Sequence, residues 1–207
     1  MATNRRGFFG RIFGKREVRQ SCFAVQLVIN AYGDEELRQK IHDLLDEDID
    51  ERPIEKKRFY KRLAAVVEEA EPFYEHACFE YEDRDGYAQP CFTEWVSEIE
   101  AEIATEDEET GDEVDGHARL DSEKRYIVFS MIFLLSGPHP YADKYDGDDQ
   151  DHYTRKILAE LVDSVNYIDF DSVVGDACFL VPGNNKDGFS WSDLADEGWG
   201  HLKMVTA

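Results

Sequence analysis

"YIVFSMIFLL", the stretch from Tyr126 to Leu135, decides the fold predicted for this 207-residue chain. Nearly all of its residues are apolar, at odd and even positions alike, and most are aromatic or β-branched. Such a composition is typical of a central strand that is covered on both faces. The stretch has about half the length that a membrane-spanning helix needs. We therefore predict that it forms the most buried element of a folded core.

Three further strands and a series of helices are predicted around this strand. The strand patterns cover residues 22–30, 73–81 and 172–181, and the helical patterns follow Gly33-Asp34, Pro53, Pro90 and Tyr153. A short final helix is predicted from Ser190, because Ser190 and Asp193 have the spacing of a capping box. The predicted fold class is α/β or α+β. It has about four strands in one sheet, amphipathic helices packed on that sheet, and an acidic linker that interrupts the fold.

Charge divides the chain into two parts. Residues 1–20 form a basic, Phe-rich N-terminal segment with a local charge of +5, whereas the whole chain carries −23. Residues 21–207 are predicted to form a single α/β globular domain. Between Glu94 and Asp115 this domain has eleven Asp and Glu residues and no Lys or Arg. Because residues 105–117 also lack apolar periodicity, they predict an acidic loop.

The acidity of the domain bears on the partners that it can bind. A surface this negative repels nucleic-acid phosphates and anionic lipid head groups, so we expect no direct binding of nucleic acid. Basic proteins and cations are the natural partners of such a surface. Solubility alone is the competing explanation for the charge.

The basic N-terminal segment is predicted to dock to an anionic membrane surface or to a protein partner. If it is helical, its apolar residues share one side and basic residues flank them, as in helices that bind membrane surfaces. The candidate docking residues are Arg5, Arg6, Phe8, Phe9, Arg11, Ile12, Phe13 and Lys15. Its glycines lower the helix propensity, so anchoring by this segment alone is expected to be weak. The alternative is a flexible basic leader, or one that folds back onto the acidic domain.

One Asp-rich stretch, "DKYDGDDQDH" from Asp143 to His152, is the candidate metal site. Clustered carboxylates with a glycine at the turn suit hard cations such as Ca²⁺ or Mg²⁺. The candidate ligands are Asp146, Asp148, Asp149 and Asp151. The spacing does not fit an EF-hand loop, because no carboxylate stands at its twelfth position. The alternative is a solvated loop whose acids lie favourably near a helix N-terminus.

The remaining chemistry-bearing residues form no catalytic motif. The four cysteines lie far apart, which predicts buried thiols in a reducing compartment and hence a cytoplasmic protein, peripheral to a membrane if the N-terminal segment binds one. The six histidines are dispersed, and the sequence has no phosphate-binding Gly-rich loop. The tryptophans Trp95, Trp191 and Trp199 are expected to close the core rather than to anchor a partner.

From Cys22 to about Val205 the layout resembles a family of cyanobacterial and plastid proteins catalogued as domain of unknown function 1517. The likeness lies in "KRYIVFSMIFLL", "LAELVDSVNYIDFDSVVGDACFLVPG" and "FSWSDLADEGWGHL", with "EPFYEHACFEY" in the place of a related stretch after a helix. That family commonly has a membrane-spanning helix upstream, which this sequence does not show, and the Asp-rich loop looks like an insertion. The resemblance implies a fold and no catalytic residue.

These observations favour a non-enzymatic protein-interaction or scaffold domain, which the basic segment recruits to a membrane surface or an assembly. Two alternatives stay open. One is a metal-dependent enzyme that uses the Asp-rich loop. The other is an acidic inhibitor of a basic or nucleic-acid-binding protein, because charge runs of this kind can mimic phosphates.

Overall fold

Five strands and five α-helices lie along the residues that the computed structural model describes, which are 19–32, 35–110, 125–183, 188–195 and 199–207. The strands are β1 (Ser21–Asn30), β2 (Tyr74–Glu82), β3 (Tyr126–Leu135), β4 (Val173–Val181) and β5 (Lys203–Met204). The helices are α1 (Glu35–Leu45), α2 (Pro53–Glu69), α3 (Ala88–Thr110), α4 (Arg155–Asp163) and α5 (Trp191–Leu194). Short 3₁₀ turns join several of them.

The strands form one antiparallel sheet in the order β4-β3-β1-β2-β5. Strand β1 lies at the centre, and its ten residues pair with those of β3 from Ser21 opposite Leu135 to Asn30 opposite Tyr126. The fold class is therefore α+β, which confirms the predicted class and the four predicted strands. The fifth strand, β5, was not predicted, because two residues carry no periodicity that could reveal a strand.

Both faces of the sheet are covered, so the core has two parts. Helices α1, α2 and α4 pack on one face, where β1 contributes Phe23, Val25 and Leu27. Helix α3 and the C-terminal segment cover the other face, where β1 contributes Ala24 and Val28. All ten residues of β3 are buried, as expected for a strand with apolar side chains on both faces.

Two helix starts agree with their sequence signals. Helix α2 begins at Pro53, whose fixed φ and missing N–H suit the first helical position. Helix α5 begins with the predicted capping box. The Ser190 Oγ accepts a hydrogen bond from the Asp193 backbone N–H at 3.2 Å, and the Asp193 carboxylate accepts one from the Ser190 N–H at 2.7 Å.

The first part of the predicted acidic loop is helical. Helix α3 continues through residues 105–110 and ends at Thr110. Its backbone therefore stays helical without an apolar stripe, which glutamate's good helix propensity and the cooperativity of helix extension explain. Residues 111–117, the rest of the predicted loop, lie outside the described residues.

A charged clamp joins α2 to the edge strand β4. The Asp176 carboxylate accepts hydrogen bonds from the Lys56 Nζ at 2.8 Å and from the Tyr60 hydroxyl at 2.9 Å. Lys56 also pairs with Glu51 at 2.6 Å. Burial lowers the pKa of Lys56, but its hydrogen bonds to the two carboxylates outweigh burial and raise it. Burial is the largest cause that raises the pKa of Tyr60, and the nearby Cys178 and Asp176 raise it further. The Tyr60 hydroxyl therefore remains a donor.

A buried histidine fixes the start of the loop that connects β3 to α4. The His139 Nδ1 accepts hydrogen bonds from the backbone N–H groups of Tyr141 and Ala142, at 3.2 and 3.0 Å. Its Nε2 lies 3.4 Å from the Ser164 Oγ, which itself donates to the Leu161 carbonyl. This pattern requires a neutral ring with its proton on Nε2. Burial accordingly lowers the pKa of His139 to about 4.

Candidate functional site

An open cleft on the α3 side of the sheet has the most distinctive chemistry in the described structure. It lies between β1, β2, α3 and the segment around Trp199, and its volume is about 750 Å³. We call it the tryptophan cleft. Its lining residues are Gln26, Cys78, Glu80, Glu94, Trp95, Glu98, Ile99, Ala101, Glu102, Trp199, Gly200 and His201.

The floor of the tryptophan cleft is a polar row across the sheet. Strand pairing places Gln26 opposite both Cys78 and Ser130. The buried Gln26 amide donates to the Ser130 Oγ at 3.1 Å, and its Oε1 lies 2.7 Å from the His201 Nε2. The Gln26 amide nitrogen donates to Ser130, so the atom that faces His201 is the amide oxygen. An amide oxygen only accepts, and the imidazole Nε2–H is therefore the donor. The two bonds therefore fix the side chain of Gln26 and orient His201.

One wall of the cleft is the acidic flank of α3. Trp95 packs against the sheet, and its indole Nε1–H donates to a Glu80 carboxylate oxygen at 2.8 Å. Glu94, Glu98 and Glu102 follow one another at intervals of four residues, so they share a side of the helix. Like charges at this spacing destabilise a helix by about 0.2–0.5 kcal/mol per pair. A bound cation would relieve that repulsion.

The opposite wall is aromatic. The His201 ring lies 6.3 Å from the Trp199 ring and 6.4 Å from the Trp95 ring, measured between centroids. Trp199 is 6% exposed and packs on Phe189, so it also closes the second part of the core. The described lining thus combines two indole rings and four glutamates with no Lys or Arg.

A thiol in the cleft is not activated. Burial raises the pKa of Cys78 to about 11, with a smaller contribution from Glu80. The thiol is therefore protonated at neutral pH, and a protonated thiol is a poor nucleophile. All four cysteines are free; Cys22 and Cys91 are buried, whereas Cys78 and Cys178 are half-buried.

The third tryptophan lies outside the cleft. Trp191 is 51% exposed and packs against His76, with the ring centroids 4.7 Å apart and the rings tilted. His76 pairs with the exposed Met204 across β2 and β5. The expectation that the tryptophans close the core therefore fits Trp199 and does not fit Trp191. The half-buried Trp95 fits the expectation in part, because it packs on the core and also borders the cleft.

Two carboxylates of the Asp-rich loop accept hydrogen bonds from backbone N–H groups of the same loop. Asp146 accepts a hydrogen bond from the Asp148 N–H at 2.9 Å, and Asp149 accepts one from the Asp151 N–H at 3.0 Å. His152 accepts one from the Asp146 N–H through Nδ1. No three His, Cys, Asp or Glu side chains among the described residues are placed to hold a metal ion. Binding of Ca²⁺ or Mg²⁺ by Asp146, Asp148, Asp149 and Asp151 stays a prediction.

This loop covers the edge of β2. A Cβ on Gly147 would lie 2.3 Å from the backbone oxygen of Phe79, so the loop backbone lies directly against the strand. The Gly147 carbonyl accepts hydrogen bonds from the Tyr153 hydroxyl at 2.8 Å and from the Lys203 Nζ at 2.6 Å. The glycine that resembles part of a metal loop is thus required by close packing.

We expect Gly147→Ala to lower the free energy of unfolding by about 2 kcal/mol, because the methyl group must displace backbone. Gly183→Ala is the matched control, since a Cβ there meets nothing within 4 Å. Urea unfolding of both variants measures the difference. Equal stability of the two variants would show that the loop is not packed on β2 as described.

The predicted docking residues of the N-terminal segment, from Arg5 to Lys15, lie outside the described residues. The described chain begins at Arg19, whose guanidinium pairs with the Asp83 carboxylate at 2.8 Å. In the described structure, no helix combines the length and the apolar character needed to cross a bilayer.

The cleft was not predicted from the sequence. Glu80, Trp95 and His201 come from three separate elements, and only the strand pairing and the packing of α3 bring them together. Two signals pointed toward it: the polar face of β2 and the purely acidic flank of α3. Comparison with known family models, curated proteins and solved structures found no match for this chain.

Proposed function

We propose that this chain is a non-enzymatic protein-interaction domain that binds a basic segment of a partner protein in the tryptophan cleft. One observation carries the proposal: two indole rings and four glutamates line a single cleft whose described lining has no Lys or Arg. The net charge of −23 also favours basic partners at long range, because it attracts them and repels acidic ones.

The chemistry of the cleft suits an arginine or lysine side chain. A cation over an indole face gains about 0.5–2 kcal/mol, depending on how far it is desolvated. The carboxylates of Glu94, Glu98 and Glu102 can pair with the same cation or with its neighbours along a peptide. A guanidinium is the better fit, because it stacks on aromatic rings and binds carboxylates with two hydrogen bonds.

The same geometry favours binding over catalysis. The Cys78 thiol is protonated at neutral pH, and the His201 Nε2 is engaged with Gln26 at 2.7 Å. A nucleophile is activated by a general base within hydrogen-bond reach or by a lowered pKa. The pKa of Cys78 is raised instead, and the His201 Nε2 is used on Gln26.

We expect the full chain to bind an arginine-rich peptide in isothermal titration calorimetry, with affinity that falls as salt is raised. Trp95→Ala should weaken binding by about tenfold, equivalent to about 1.4 kcal/mol, because it removes one indole face. Trp191→Ala is the matched control, since it changes the same residue type outside the cleft. Glu98→Gln should weaken binding with little change in fold, because Glu98 is exposed.

Three outcomes would contradict the proposal. The peptide does not bind, it binds equally well to Trp95→Ala and the native chain, or Trp191→Ala weakens it as much as Trp95→Ala does. An acidic peptide of the same length serves as the ligand control and should not bind. Recruitment to a membrane surface or an assembly by residues 1–20 stays a prediction beside this proposal, as does the resemblance to domain of unknown function 1517.

A further inference from the structure

A groove between β2 and the Asp-rich loop adjoins the tryptophan cleft. Its volume is about 640 Å³, and it shares three lining residues with the cleft, which are Cys78, Glu80 and His201. We call it the acidic groove, because its lining includes Glu80, Glu82, Asp83, Asp146 and Asp148. The bases of its lining already have partners. Arg84 donates to the Glu82 carboxylate at 2.9 Å, and the Lys203 Nζ donates to the Gly147 carbonyl at 2.6 Å.

The described chain begins beside the acidic groove. The Arg19 guanidinium pairs with the Asp83 carboxylate of the groove lining at 2.8 Å. Residues 1–18, which lie outside the described residues, are therefore joined to the domain at this groove. Among them, residues 5–16 have five Lys and Arg, no Asp or Glu, and the large apolar residues Phe8, Phe9, Ile12 and Phe13. This composition is complementary to a surface of carboxylates and indole rings.

The segment of residues 5–16 is long enough to reach the tryptophan cleft. Arg11 precedes Arg19 by eight residues, which span about 26–29 Å when extended. Glu80, which accepts the Trp95 indole N–H, lies opposite Ala24 of β1. Ala24 follows Arg19 by five residues, which is about 17 Å along a strand. The remaining length of about 10 Å allows the chain to turn back along β2 and still place Arg11 beside Trp95.

We propose that residues 5–16 of the same chain occupy the acidic groove and the tryptophan cleft until the basic segment of a partner displaces them. This inference rests on the proposed function of the cleft and adds the ligand with which the partner competes. The tether selects the occupant, because a segment on a short linker has an effective concentration of about millimolar at its site. A partner that takes the cleft also frees the basic segment, so the two events are coupled.

Calorimetry of the full chain with the arginine-rich peptide tests this proposal. Arg11→Gln combined with Lys15→Gln should tighten peptide binding by about tenfold, because the weakened segment leaves the cleft open in more of the molecules. Arg58→Gln combined with Lys61→Gln is the matched control. It removes the same two charges at exposed positions of α2, on the opposite face of the sheet, so it reproduces the change in net charge alone. The control should leave the affinity nearly unchanged.

The indole N–H signals of the free chain give a second readout by NMR. Without peptide, raising the salt should release the segment from the native chain and shift the Trp95 and Trp199 signals, because screening weakens its charge pairing. The chain with Arg11→Gln and Lys15→Gln should show much smaller shifts. The shifts of the native chain should be the same at low and high chain concentration, because the segment belongs to the same molecule.

The possible results separate this proposal from the proposed function of the cleft. If Arg11→Gln with Lys15→Gln left the peptide affinity at its native value, this proposal would be overturned and the proposed function would stand. Equal tightening by the control chain would also overturn it, because net charge would then explain the gain. So would salt shifts that depend on chain concentration, since the segment would then bind a second copy. A peptide that binds none of the three chains would refute the proposed function, and this proposal with it.

Discussion

Asp176→Ala will lower the free energy of unfolding by about 3 kcal/mol. The change leaves the buried Tyr60 hydroxyl without its acceptor, which costs about 1–3 kcal/mol. It also removes one of the two carboxylates that pair with Lys56, while Glu51 remains. The loss of that half-buried pair adds up to about 1 kcal/mol, because Lys56 keeps Glu51 as a partner.

Two further variants apportion this effect. Asp176→Asn keeps an oxygen acceptor for Tyr60, so its free energy of unfolding should lie between those of the native chain and Asp176→Ala. Asp171→Ala changes an exposed aspartate in the turn just before β4, and it should shift stability by no more than about 0.5 kcal/mol. Urea unfolding of the series gives the values. If Asp176→Ala and Asp171→Ala had equal stability, the clamp between α2 and β4 would not stabilise the fold.

Acid will destabilise this chain through His139 before most carboxylates titrate. The pKa of His139 is about 4 in the folded chain, against an ordinary value of about 6.5. The unfolded chain therefore binds a proton at His139 that the folded chain does not. The stability that results is fully present above pH 6.5 and is lost as the pH falls towards 4. We expect this loss to reach about 3 kcal/mol, since His139 is 2% exposed and poorly screened.

His139→Asn isolates this contribution. The Asn amide oxygen can accept from the Tyr141 and Ala142 N–H groups in place of Nδ1, and it does not titrate. We expect the difference in unfolding free energy, native chain minus His139→Asn, to be largest at pH 7 and to fall steadily towards pH 4.5. A flat difference, or a His139 ring whose NMR signals titrate near pH 6.5, would contradict the assignment.

The sequence was most informative where local chemistry decides structure. Pro53 and the Ser190 capping box mark helix starts, and the all-apolar composition of β3 predicts its burial. These signals act over a few residues, so they can be interpreted without the fold. The end of α3 was misplaced for the complementary reason: an acidic run without apolar periodicity resembles a loop, although glutamate propagates a helix well.

The candidate site depended on long-range contacts and could not be predicted in the same way. Trp95 and Trp199 resemble ordinary core residues until the fold places them on either side of His201. Gly147 resembles part of a metal-binding loop until its closeness to Phe79 shows that packing requires it. In both cases the sequence pattern identifies the residue type, and the tertiary neighbours determine its role.

The three tryptophans allow one direct test of cation binding in the tryptophan cleft. Each indole N–H gives one NMR signal, and the chain has three. During titration with an arginine-rich peptide, the account predicts that the Trp95 and Trp199 signals shift together with a single affinity, while the Trp191 signal stays nearly constant. Peptide binding that leaves the Trp95 and Trp199 signals unmoved would contradict it.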